Sequence, residues 1–146
     1  MKKGVMIVIV AIVVLLFLLN VHRSNYTANL TPIKTNIPGT DGIVGAANKF
    51  ANALAAFPND TKNVKNVNSA KHFLDEIVLN YNRFVVEFNK QTSMDMIKNN
   101  KQTLLLNIKR ASDASYTLSS YVLNSNTTWP ILNAAIGNLY GQLLSI

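Results

Sequence analysis

His72, Asp75 and Glu76 stand within one helical turn of each other, a spacing that can bring an imidazole and two carboxylates to one side of a helix. Such a trio could hold a divalent cation. A fourth ligand is missing, because the chain has no cysteine and the only other histidine, His22, borders an apolar run. The trio is better read as a solvated polar face, and no metal or cofactor is expected. A carboxylate-bridged di-iron bundle needs four glutamates and two Glu-X-X-His motifs, whereas Glu76 and Glu87 are the only glutamates here. Neither the Gly-X-Ser-X-Gly elbow of serine hydrolases nor the Gly-X-X-X-X-Gly-Lys-Ser/Thr phosphate loop occurs. No catalytic residue is assigned, no small-molecule substrate is inferred and an enzyme is not expected.

The second chemical pattern is cationic. On one continuous helix Lys98, Lys101 and Lys109 would project within about 80° of one another, with Arg110 further round. Such a face is a candidate contact for anionic surfaces, the phosphates of lipid or of nucleic acid. Aromatic residues for base stacking are not interleaved with it, so a lysine face that keeps a small domain soluble is the favoured reading and nucleic acid is not an expected partner.

The elements that would position these residues begin with residues 4–19, which carry no charged or hydrogen-bonding side chain and follow Lys2 and Lys3 directly. Gly4, Val5, Ile7, Val10, Val14, Leu16 and Leu19 mark this run. Extended across Asn20 to Val21, it reaches about 18 residues, the short end of what spans a hydrocarbon core of about 30 Å. A transmembrane anchor over residues 1–23 is expected, touching lipid through residues 4–21. A cleaved secretory signal begins in the same way, but Asn20-Val21-His22-Arg23 provides no small-X-small cleavage site. Lys2 and Lys3 before the span, against Arg23 after it, put the N-terminus on the cytoplasmic side and the bulk outside.

The chain has 146 residues and a formal net charge of +7. Setting aside Lys2, Lys3 and Arg23 leaves a mildly basic remainder, long enough for one domain with a modest core. Without cysteine, packing alone must hold that domain together. Abundant Asn, Lys and Ile fit an AT-rich genome, such as that of a large DNA virus or a low-GC bacterium.

Residues 24–41 contain Pro32, Pro38 and Gly39 among Thr and Asn, and read as an extended linker. Fully drawn out it could reach roughly 60 Å and let the domain stand off the bilayer. Alternatively Leu30, Ile33 and Ile37 give it an apolar strip to bury on a partner. Helical periodicity then fills residues 42–146. A first helix runs from Gly42 to Phe57, capped by Thr40 or Asp41 and stopped by Pro58, with Ile43, Ala47, Phe50, Leu54 and Phe57 on one stripe. A polar loop over residues 59–67 precedes a second helix, Ser69–Gln91, with a broad face of Ala70, Phe73, Leu74, Ile77, Val78, Tyr81, Phe84, Val85 and Phe88.

The third helix is expected from Thr92 or Ser93 to about Leu123, on Met94, Ile97, Leu104, Leu105, Ile108, Ala111, Leu118 and Val122, with a bend where Ala111 to Ser115 weaken it. The last runs from Trp129 to Ser145 with Thr128 as its cap, Pro130 in its first turn and a core face of Leu132, Ala135, Ile136, Leu139, Leu143 and Ile146. These helices can bury their stripes only against each other. The expected fold is all-α: one transmembrane helix, an extended linker and a four-helix bundle.

Two features suggest protein partners. Leu79 and Val86 lie one heptad apart, opposite the core stripe of the second helix. Gly137 and Gly141 form a small-residue ridge with Ala134 on the last helix, suited to close approach either within the bundle or by another chain. No charged residue follows Asp113, so the last helix is expected to be covered by protein rather than inserted in lipid, where Asn133, Asn138 and Gln142 would be costly. Asn-X-Ser/Thr sequons at Asn25, Asn29, Asn59 and Asn126 are no more than such a composition yields by chance.

The expected function is a membrane-anchored structural or docking protein that links a membrane to other structural subunits, as a minor capsid or membrane protein of a virion or an envelope scaffold would. The alternative is a bacterial envelope regulator or ligand-binding helical module.

Overall fold

A computed structural model describes residues 28–34 and 36–146, apart from the side chains of Asn59, Thr61 and Lys62. The anchor expected at residues 4–21 lies outside the described residues. The described chain forms α1 (Asp41–Ala56), a 3-10 segment (Phe57–Asn63), α2 (Val67–Asn89), α3 (Met94–Asn99), α4 (Lys101–Ser119) and α5 (Thr128–Leu144). Among the described residues there is no strand, and a lone antiparallel bridge joins Val64 to Val122. The fold is all-α and bundle-like. No helix among the described residues is long and apolar enough to cross a membrane.

Helix α2 packs along α4, α4 along α5 and α5 along α1, whereas α1 meets α2 over a much narrower seam. Every residue placed on an apolar stripe from periodicity is buried or packed against the core. Phe50, Phe57, Phe84 and Phe88 are fully covered, each stabilising the fold by about 1.5–3 kcal/mol through burial. Tyr81 crosses the narrow seam, donating its hydroxyl to Ala47 O at 3.1 Å and packing its ring 4.9 Å from that of Phe50. Burial pushes the Tyr81 phenol up to about 12, so it stays a neutral donor.

Several local details depart from the sequence expectations. The third helix is divided at Asn100, whose backbone leaves helical geometry (φ −100°, ψ 11°) and separates α3 from α4. Its side-chain amide donates to Gln91 Oε1 at 2.9 Å and to Met96 O at 3.2 Å, an alternative to continuing the helix. The expected bend over Ala111 to Ser115 is absent, since α4 continues through it. Ala111, Ala114 and Ser115 are buried there, and Ser115 O accepts the Trp129 indole N–H at 3.0 Å. Small residues at this place permit close packing of α4.

The helix starts also differ. Thr40 precedes α1 but caps none of its amides, because its hydroxyl donates to Ile37 O at 2.7 Å. α2 begins at Val67, with Asn66 Oδ1 accepting from Ser69 N at 3.0 Å. α5 is not capped by Thr128. Asn126 Oδ1 accepts from Thr128 N at 3.1 Å and Trp129 N at 2.8 Å, and Asp60 reaches the same turn from the 3-10 segment.

Candidate interaction surfaces

An extended segment offers the backbone polar groups that a helix hides, so it docks stably only where something answers them. Two asparagines do so here. Asn82 Oδ1 accepts from Thr31 N at 2.9 Å, and its Nδ2 donates to Asn29 O at 2.8 Å. Asn89 repeats the pattern one step on, accepting from Lys34 N at 2.9 Å and donating to Pro32 O at 2.9 Å. Lys34 Nζ adds a bond to Asn89 O at 2.8 Å. The register follows from elementary geometry: seven helical residues rise about 10.5 Å and three extended residues cover about 10 Å.

Between these clamps Leu30 and Ile33 are partly buried against the core, and Ile37 is 5% exposed. The segment is therefore a strap lying along α2 of its own chain. Its candidate partner residues Leu30, Ile33 and Ile37 are turned onto the domain itself, so residues 28–34 are not a free spacer; the rest of the expected linker before residue 28 lies outside the described residues. Gly39, at φ 86°, turns the strap into α1 in a conformation that side chains rarely adopt, with Met94 Cε 3.1 Å from where a Cβ would stand.

Leu79 and Val86 lie on the outer crest of α2, 49% and 46% exposed. Beside Leu79 a shallow groove of about 420 Å³ separates α2 from α4, walled by Glu76, Asn80, Arg83, Arg110 and Asp113. Asn80 Oδ1 is buried there without a partner, while its Nδ2 donates to Glu76 O. The groove carries both signs of charge on a partly apolar wall, which suits a polypeptide surface better than a phosphate.

Gly137 and Gly141 do not face the bundle: both are exposed, and a Cβ built on either meets nothing within 4 Å. In the α1–α5 pair it is Gly42 that meets a neighbour, since a Cβ there would stand 2.6 Å from the Oε1 of Gln142 and displace that side chain. The glycine ridge lies on the exposed side of α5, adjoining a second shallow groove lined by Lys49, Asn52, Ile131, Ala134 and Asn138.

The lysine face does not form as one surface. The break at Asn100 places Lys98 on α3 and Lys101 on α4, which changes their phase. Lys101 Nζ donates to Leu144 O at 2.9 Å and Ile146 O at 3.0 Å. Lys109 and Arg110 are exposed on α4, and Arg110 walls the groove beside Asp113. His72 pairs with Glu76 at 3.2 Å on the surface, and no cluster of three metal-ligating side chains occurs among the described residues.

Asp60 is a buried side chain with a structural role that local patterns missed. It is 8% exposed, and its Oδ2 accepts from Thr127 N at 3.1 Å, Thr128 N at 3.3 Å and Thr128 Oγ1 at 3.0 Å. Asn63 Nδ2 donates to Oδ1. Burial works to raise this carboxyl, but the hydrogen bonds outweigh it and hold the group below its ordinary value. The carboxylate also sits where a helix N-terminus favours negative charge. It staples the 3-10 segment to α5, while Lys65 N to Tyr121 O (2.7 Å) and Leu123 N to Asn63 O (2.8 Å) join the same end of the bundle. No protein-family model, curated protein or solved structure matches this chain.

Proposed function

We propose that the protein is a single-pass membrane protein anchored by residues 4–21, whose helical head is a non-enzymatic structural or docking module. It ties a membrane to a protein layer, such as a capsid or an envelope lattice. The N-terminus lies on the cytoplasmic side and the head outside. The observation that carries this reading is the uninterrupted apolar run of residues 4–19 behind Lys2 and Lys3. Leu79, exposed beside a groove with mixed charge, and Val86, exposed one heptad further along α2, supply the surface for a protein partner.

Alkaline carbonate extraction of native membranes tests the anchor, and crosslinking with mass spectrometry on the same membranes tests the docking role. The chain is expected to stay in the pellet and to crosslink to a small set of discrete proteins through α2 and α4. Release into the supernatant refutes the anchor, and a monomer with lipid contacts alone refutes the docking role.

A further inference from the structure

One end of the bundle gathers the 3-10 segment, the start of α2, the end of α4 and the start of α5, held together by the Asp60 bonds to Thr127 and Thr128 and by the main-chain bonds around Tyr121 and Leu123. Several exposed apolar side chains and most of the accessible aromatic rings of the bundle helices lie there. Val67 is 57% exposed, Tyr116 78%, Leu123 39% and Ile131 61%, with Tyr121 and Trp129 half-buried among them. The acidic residue of the 3-10 segment, Asp60, is buried in its hydrogen bonds, whereas Lys65 is exposed. Aliphatic residues mixed with Tyr, Trp and Lys match the interfacial layer of a bilayer, where apolar bodies and polar tips are both accommodated. The opposite end also exposes Met96 and Leu144, but sets Lys90, Asp95 and Lys98 among them, with no tyrosine or tryptophan in α3.

The strap gives the direction. It runs parallel to α2, with Asn29 and Thr31 at Asn82 and then Pro32 and Lys34 at Asn89. Followed back toward the N-terminus, it therefore heads for the Val67 end of α2. Residues 22–27 can span about 20 Å at most. The rise from Asn82 back to Val67 is about 22 Å. With residues 4–21 in lipid, the strap holds the head against the membrane, and its direction aims the Val67 end at the surface.

We infer that the end of the bundle bearing Val67, Tyr116, Leu123, Trp129 and Ile131 rests in the interfacial layer of the bilayer that holds the anchor. This rests on the anchored reading, and one experiment separates the two. The full chain is reconstituted in vesicles of phosphatidylcholine with phosphatidylglycerol, with and without bromine on the acyl chains near the headgroup. Trp129 is the only tryptophan, so its fluorescence reports on the head and not on the anchor. Brominated lipid is expected to reduce it roughly twofold. The chain has no cysteine, so single Val67→Cys, Ile131→Cys, Leu79→Cys and Met96→Cys variants carry one fluorophore each. Quenching is expected at positions 67 and 131 and not at 79 or 96. Failure of the chain to float with vesicles sinks the anchored reading. Flotation with no quenching at 67, 131 and Trp129, or with stronger quenching at 79 or 96, overturns the inference while leaving the anchor intact.

Discussion

Removing the amide clamps should show whether the strap opens as one unit. Asn82→Ala deletes the acceptor for Thr31 N and the donor to Asn29 O, and Asn89→Ala deletes those for Lys34 N and Pro32 O. These bonds are partly or fully exposed, so each is placed at the low end of the usual net value, about 0.5–1 kcal/mol. One variant then loses about 1–2 kcal/mol of strap docking, and the double variant about 2–4 kcal/mol. Leu30, Ile33 and Ile37 still hold the strap by burial, so the expected result is more frequent opening rather than permanent release.

The informative reporter is the amide whose own acceptor remains. In Asn82→Ala the Lys34 amide keeps its bond to Asn89. If the strap opens cooperatively, its hydrogen exchange should accelerate about 5- to 30-fold, the factor that corresponds to about 1–2 kcal/mol. The Thr31 amide should respond likewise in Asn89→Ala. Unchanged exchange at both reporters would mean that the two clamps act independently. Unchanged proteolysis of the strap in the double variant would mean that the apolar residues alone hold it, and the amide register would then carry no weight in docking the strap.

Asp60→Ala leaves the first amides of α5 and the Thr128 hydroxyl without their carboxylate and should cost about 2–3 kcal/mol in a denaturant melt, with Asp60→Asn milder because one acceptor oxygen survives. Because the folded carboxyl lies below its ordinary value, its stabilisation is fully present above about pH 3.9 and is lost as pH falls through the folded value. The gap between wild type and Asp60→Asn should therefore close in acid, and a gap independent of pH refutes the assignment. Gly39→Ala forces a side chain onto φ 86° against Met94 and should destabilise by about 1–2 kcal/mol, measured by thermal unfolding. Leu79→Lys with Val86→Lys should change stability by no more than about 0.5 kcal/mol per site yet abolish crosslinks through α2; retained crosslinks refute the docking crest.

What could be read from residue order is what repeats within one helical turn. Ile43, Phe50, Ile77, Phe84, Ile108 and Leu139 follow from periodicity because each sits on a face that local spacing defines, and all are buried. The orientation of Gly137 and Gly141 is different in kind. A small-residue ridge is legible, but whether a neighbour occupies it depends on packing between α1 and α5, where Gly42 rather than Gly137 or Gly141 meets the partner helix, at the Gln142 side chain.

The asparagines make the limit sharper. In sequence, Asn48, Asn82, Asn89 and Asn126 are equivalent polar residues, and Asn48 is simply exposed. Asn82 and Asn89 become clamps only because the strap folds back across 51 to 57 positions of sequence. Asp60 becomes the partner of α5 across a separation of 67 or 68. Asn126 has a local signal, since its Oδ1 accepts from the amide three residues on, but the Thr127-Thr128 pair beside it draws attention to the wrong cap. Amides carry no charge and little hydropathy, so neither pattern nor composition distinguishes a solvated one from one that holds a segment in place. In a chain this rich in asparagine, the side chains that hold the strap on the bundle are the ones local patterning is least able to reveal.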